Sequence, residues 1–171
     1  MESRKVAAAY LRNFVFGVED SLVSTVGLLS GIAAAGAERR TILITGAVLI
    51  FVEAFSMAIG SFLSEQSADE YEESAPAPMR NSIVDGGIMF FSYIIAGLVP
   101  LGPYMFMSFD IAFPASIAAS IGALFVLGYI SGRISKTKPM FSAMRMAVIG
   151  AIAISVGIFV GGLVENISWG S

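Results

Sequence analysis

Apolar residues run through this chain in five long stretches, 14–35, 41–63, 83–101, 111–130 and 141–164, parted by short polar breaks. A helix needs ~20 apolar residues to cross a ~30 Å hydrocarbon core. A helix is also a form that satisfies every backbone polar group without water. The pattern therefore predicts an all-α integral membrane protein of five transmembrane helices, with 1–171 as a single transmembrane domain. The third stretch closes on Pro100-Leu101-Gly102-Pro103, which reads as a helix stop, whereas Pro114 falls in the first turns of the fourth, where proline is tolerated. Arg145 stands near enough to the start of the fifth to snorkel out of it. The number of spans is odd, which excludes an inverted duplication, and no repeat is visible. The longest polar break, 64–82, carries Glu65, Asp69, Glu70, Glu72 and Glu73 ahead of Pro76 and Pro78. It reads as a short acidic loop: either a solvated linker, or a collar that gathers cations by raising their local concentration.

Charge decides the orientation. If the N-terminus is cytoplasmic, the inside collects Arg4, Lys5, Arg12, Arg80, Arg133, Lys136, Lys138 and Arg145, and the outside only Arg39 and Arg40. The positive-inside bias thus predicts N-terminus in and C-terminus out. The basic start, 1–12, runs into an apolar stretch too long for a cleaved signal peptide, so it is expected to stay as the first span.

Composition narrows the chemistry. Hydrophobic residues make up 56% of the chain and charged ones 13%, with a mean hydropathy of +0.81, which suits a bilayer and not a water-covered core. Cysteine and histidine are both absent, which removes disulfides, iron–sulfur clusters and thiolate or imidazole metal sites. A metal would have to be held by carboxylate, carbonyl, hydroxyl or thioether, a donor set for Mn²⁺, Fe²⁺, Mg²⁺ or Ca²⁺. The pI near 4.9 and the lack of a basic stripe argue against nucleic acid as a partner.

Three acids interrupt the spans: Glu19, Asp20 and Glu53. Each such charge costs ~2.5–3.5 kcal/mol on insertion scales, and intramembrane charges usually face a cavity or a partner. Glu53 and Met57 are four residues apart and share a helical face, with Ser56 beside them and Gly60 and Ser64 continuing the row. Gly17, Asp20, Ser24, Gly27 and Gly31 form a similar stripe on the first span. Counting from the apolar boundaries, Asp20 and Met57 each lie ~9 Å deep at 1.5 Å per residue, with Glu53 a turn deeper. If the stripes face each other, two carboxylates and a thioether converge, a set that suits a divalent ion and leans toward a softer one such as Fe²⁺. Gly27, Gly31, Gly60 and Ser64 also have the small-residue spacing of close helix packing. Glu19 points about 100° away from Asp20 and is expected at the interface or paired with Arg12. Asp85, at the start of the third span, reads either as an interfacial residue or as an N-terminal helix charge, and Asp110 and Glu165 as outer, solvated positions.

These residues bring a family with them. Asn13-Phe-Val-Phe-Gly-Val-Glu-Asp-Ser-Leu-Val-Ser, Glu53-Ala-Phe-Ser-Met-Ala-Ile-Gly-Ser-Phe-Leu-Ser-Glu, Gly97-Leu-Val-Pro-Leu-Gly-Pro-Tyr and Leu124-Phe-Val-Leu-Gly together make the chain resemble the vacuolar iron transporter family over nearly its whole length. The resemblance implies a five-helix homodimer that exports Fe²⁺, and often Mn²⁺, from the cytoplasm in exchange for protons. It implies a pathway at the dimer interface lined by the first-span Asp and second-span Met, here Asp20 and Met57. The family's buried second-span Glu sits about two turns before the Met. That position is Leu49 here, and the acid stands instead at Glu53. Eukaryotic members carry a long cytoplasmic metal-binding domain after the second span. This chain resembles a short form without it, in which Glu65, Asp69, Glu70, Glu72 and Glu73 are left as a metal-gathering element. A short chain without organellar signals is expected in a prokaryotic cell membrane.

The leading expectation is a homodimeric divalent-metal/proton antiporter that is not an enzyme, with the metal as substrate, no resident cofactor, and Asp20, Glu53, Met57 and Ser56 in the pathway. A carboxyl inside a membrane exchanges its proton for a divalent cation, so metal and proton compete for one site. Two alternatives remain at this point: a membrane-embedded metal-dependent enzyme, which would favour Asp85 near the headgroups, and a non-transporting scaffold, whose acids would be salt-bridged internally.

Overall fold

The computed structural model describes the backbone of residues 2–73 and 79–168, and side-chain surroundings for 6–68, 70–71 and 82–167. Five helices account for nearly all of it: α1 (Glu2–Ala34), α2 (Arg39–Glu73), α3 (Met79–Phe106), α4 (Phe109–Ile134) and α5 (Pro139–Ser168). Each holds a stretch long and apolar enough to cross a membrane. The all-helical, five-span reading of the sequence is therefore what the chain forms.

Three boundaries differ from the hydropathy pattern, each for a local reason. α1 begins at Glu2 and not near Phe14, because Val6-Ala-Ala-Ala is good helix material whether or not it is apolar enough for a bilayer. The acidic segment is not a loop through 64–82. α2 continues through it to Glu73, and α3 has already begun at Met79. Glu, Gln and Ala favour helix, no Gly or Pro intervenes before Pro76, and Gln66 Nε2 donates to Glu70 Oε1 one turn on, at 3.2 Å. α3, finally, does not stop at Pro100 but runs through Pro100 and Pro103 to Phe106. Inside a packed bundle, neighbouring groups take up the carbonyls that a proline disturbs. The α4 side also tethers this stretch, Ser116 Oγ donating to the Pro100 carbonyl at 2.7 Å. At the helix end, the Arg39 guanidinium donates to the Tyr104 and Met105 carbonyls at 2.6 and 2.7 Å, a cation set against the negative end of the α3 dipole.

The turns obey ordinary helix-stop chemistry. Gly36 follows α1 with φ of +74°, and the bonds Ala37 N to Ile32 O and Gly36 N to Ala33 O make a Schellman motif. α4 ends the same way, with Lys136 at φ of +53° where glycine would be easier.

α1 occupies the middle of the bundle and touches all four other helices. It approaches α5 closely enough that side chains are excluded: a Cβ on Gly157 or Gly161 would collide with the carbonyl of Gly27 or Gly31. α4 and α5 pair similarly, Gly128 lying against Ser142 and Ala143, and Gly132 against Pro139. α2 packs mainly on α3, and its other face carries exposed Val48, Phe51, Val52, Phe55, Ile59 and Leu63. In water such a face would be a liability; against lipid tails it is the expected covering.

At ~1.5 Å per residue, α1 (33 residues) and α2 (35 residues) are each about 50 Å long, well beyond a ~30 Å core. Because α1 and α2 are antiparallel, the excess of both lies at one end, where the N-terminus, the end of α2 and the α4–α5 turn gather.

Candidate functional site

α1 and α3 run in the same direction and mesh one turn at a time with a constant offset of 72 residues. Asn13 Nδ2 donates to Asp85 Oδ1 at 2.6 Å. One turn on, Gly17 lies against Met89, whose sulfur would stand 3.0 Å from a Cβ at that position (89 − 17 = 72). Another turn on, Ser21 Oγ donates to the Tyr93 carbonyl at 2.6 Å. The small residues of α1 at these positions let α3 come close; a larger side chain at 17 would meet Ser92 as well.

This register sets Tyr93, which is fully buried, beside the polar stripe of α1. Its hydroxyl shares a 2.8 Å hydrogen bond with Ser24 Oγ. Asp20 stands one turn before Ser24, and the charges of Asp20 and Glu53 are close enough to act on each other and on the Tyr93 hydroxyl. Residues from three helices thus form a polar cluster within the spans: Asp20 and Ser24 from α1, Glu53 from α2, Tyr93 from α3. Among the described residues no basic side chain is ion-paired with Asp20 or Glu53, and no three acidic side chains gather into a metal-binding group. A cation there would meet two carboxylates and neutral oxygens.

Met57 belongs to a different place. It lines a cavity of about 530 Å³ between α1, α2 and α3, one turn nearer the N-terminal end, together with Asn13, Phe16, Ser61 and Met89. Met57 and Glu53 are one turn apart on α2, and Asp20 stands within reach of the Glu53 charge. The mouth of the cavity is spanned by an ion pair, Arg12 Nη2 to Glu65 Oε2 at 2.7 Å. Arg12 is therefore paired with Glu65 and not with Glu19, which lines a second cavity of about 430 Å³ between α1 and α4 that Arg12 and Phe16 also border.

The remaining sequence candidates are dispersed. Gly27 and Gly31 lie against α5. A Cβ on Gly60 would meet open space, and Gly60 and Ser64 form part of the cavity wall. Ser56 is exposed on the outward face of α2. Of the acidic run, Glu65 is half-buried at the cavity mouth and Glu70 is exposed, while the side chains of Asp69, Glu72 and Glu73 lie outside the described residues. Asp85, at the start of the third span, is 1% exposed and accepts a hydrogen bond from Asn13.

Sequence reasoning passed over Tyr93, Asn13 and Met89. A hydroxyl in the middle of an apolar span is a signal that could have found Tyr93. Asn13 and Met89 carry no such mark, since their roles follow from the α1–α3 register alone.

Comparison with known proteins assigns a family to the chain. The family model described as VIT family matches residues 11–83 and 73–162. Vacuolar iron transporter 2 of Oryza sativa subsp. japonica is 25% identical, over 97% of this chain and 92% of the relative. Vacuolar iron transporter homolog 4 of Arabidopsis thaliana is 27% identical over 87% of this chain and 81% of its own length. A shorter match, 43% identical over 79 residues, is to vacuolar iron transporter 1 of Oryza sativa subsp. japonica, covering 46% of this chain and 31% of the relative. The two stretches matched by the family model meet at 73–83, the α2–α3 connection. The first alignment is 226 positions long against 171 residues here, so that relative carries additional residues.

Proposed function

The chain belongs to the VIT family, a family of membrane transporters and not of enzymes, and on that footing we propose that it exports Fe²⁺, and also Mn²⁺, from the cytoplasm in exchange for protons. In this reading the N-terminal end of the bundle faces the cytoplasm and two copies associate, with the pathway along their contact. The observation that carries the reading is the pair of carboxylates, Asp20 and Glu53, on neighbouring helices within the spans and within reach of each other's charge. Like charges facing one another without a basic partner favour occupation by something positive. A divalent cation and protons compete for the same oxygens, so loading the metal releases protons and reprotonation releases the metal. That exchange, gated alternately to the two sides, is antiport. Tyr93 and Ser24 offer neutral oxygens to the same cluster. The cavity holding Met57 serves as the approach, and Glu65 at its mouth as the residue that meets an arriving cation. Glu70 is exposed on the same stretch of α2, and the sequence adds the negative charges of Asp69, Glu72 and Glu73.

Reconstitution in proteoliposomes tests this. The wild type is expected to move Fe²⁺ or Mn²⁺ down an opposing pH gradient, with counter-flow of protons read by a trapped pH dye. Asp20→Ala and Glu53→Ala are each expected to abolish both fluxes. Undiminished transport in both variants would refute the assignment.

A further inference from the structure

The cavity at the N-terminal end changes character along its depth. At the mouth stands a hard carboxylate, Glu65, held by Arg12; at the inner end two thioethers, Met57 of α2 and Met89 of α3, line the same space. Met89 is 2% exposed, and its sulfur is seated against Gly17, one turn short of Asp20. Both sulfurs lie near the carboxylate pair, Met57 one turn from Glu53 along α2 and Met89 seated on Gly17, one turn before Asp20. Two polar groups around them can accept as well. The Asn13 amide spends its N–H on Asp85, which leaves its carbonyl oxygen free to accept. The Ser61 hydroxyl lines the cavity and is buried without a hydrogen-bond partner among the described residues. Gly60 keeps the wall open.

We propose that Met89, together with Met57, forms a thioether constriction that selects among divalent cations by softness before they reach Asp20 and Glu53. This rests on the transport reading above and adds a residue and a criterion of selection to it. Oxygen-seeking Mg²⁺ and Ca²⁺ give up water reluctantly or want many oxygen ligands, and gain little from sulfur. Softer first-row ions accept a thioether, and Fe²⁺ does so more readily than Mn²⁺. Asp20 and Glu53 by themselves do not make this distinction, since carboxylates bind all of these ions. Packing alone would explain a buried methionine too, as Met fills irregular gaps. Packing, however, requires only a side chain of that volume, whereas selection requires the sulfur.

Met89→Leu separates the two, because it keeps the volume and removes the donor at little cost in stability. Uptake of Fe²⁺, kept reduced under anaerobic conditions, and of Mn²⁺ is measured in proteoliposomes at equal concentrations. The expected result is a fall in the Fe²⁺:Mn²⁺ uptake ratio of roughly fivefold to tenfold, below the range typical for disturbing a tightly held metal. Met57→Leu, which alters the same space from another helix, is expected to shift the ratio in the same direction and serves if Met89→Leu does not fold. An unchanged ratio in the folded variants overturns the proposal. Anaerobic calorimetry of the purified protein with Fe²⁺ gives a reading independent of transport. Weaker Fe²⁺ binding in Met89→Leu than in the wild type supports the constriction, and equal binding overturns it. If the wild type moves neither metal, the antiport reading falls, and the calorimetry still decides the role of the sulfur.

Discussion

At the scale of single residues, what matters is which groups the packing leaves able to bind. Gly60 lines the cavity and has nothing within 4 Å of its missing Cβ, so a larger side chain there fills the approach without a clash. Gly60→Leu is expected to leave the thermal transition in detergent within a few degrees of the wild type while reducing metal flux severely. The pair Asn13–Asp85 belongs to stability. A hydrogen bond contributes ~0.5–1.5 kcal/mol net, so Asn13→Ala should lower the melting temperature, as circular dichroism would read. Asp20, Glu53 and Met57 were legible in the sequence as polar interruptions and a shared face. Their neighbours across the bundle were not, because those depend on how the helices pack: Asp20 stands within reach of the Glu53 charge, and Met57 shares a cavity with Met89.

At the scale of elements, helix identity was the most legible property, since five apolar runs admit few other forms. Helix ends were less so. Hydropathy reports where the bilayer stops and not where the helix does, which is why α2 carries its acidic segment to Glu73 and α3 passes two prolines. The contacts between helices depend on glycines whose spacing hints at packing without naming the partner. Gly157 lies on the Gly27 carbonyl, so Gly157→Val should push α5 from α1 and cost ~1–3 kcal/mol through overpacking. Gly122 faces open space, and Gly122→Ala should instead gain roughly 0.5–1 kcal/mol from helix propensity. Opposite signs in the two thermal transitions are the check; an unchanged or raised transition in Gly157→Val would contradict the α1–α5 contact.

For the whole molecule, the chain's lack of cysteine allows its topology to be read by single introduced thiols. Gly36 lies in the α1–α2 turn and Lys136 in the α4–α5 turn, at opposite ends of the bundle. With the basic residues cytoplasmic, Gly36→Cys in intact cells should react with a membrane-impermeant maleimide, and Lys136→Cys only after permeabilisation. The reverse pattern would place the N-terminus outside and turn the proposed export into import. The outward face of α2, with Phe51, Phe55 and Ile59 exposed, and α5, which packs on α1 and α4, leave ample apolar surface for lipid or for a second copy.

The sequence by itself determined that the chain spans a membrane five times as helices, that its chemistry excludes thiolate and imidazole metal sites, and that carboxylates stand inside the spans. These follow from composition and periodicity, which act locally and survive in one dimension. Only the tertiary structure decided which polar groups meet. The 72-residue offset of α1 on α3 sets Asn13 on Asp85, Gly17 on Met89 and Ser21 on Tyr93. The antiparallel pairing of α1 and α2 brings Asp20 to Glu53 and Arg12 to Glu65. Register depends on the fit of small residues against large ones across helices distant in sequence, and no one segment carries that information alone.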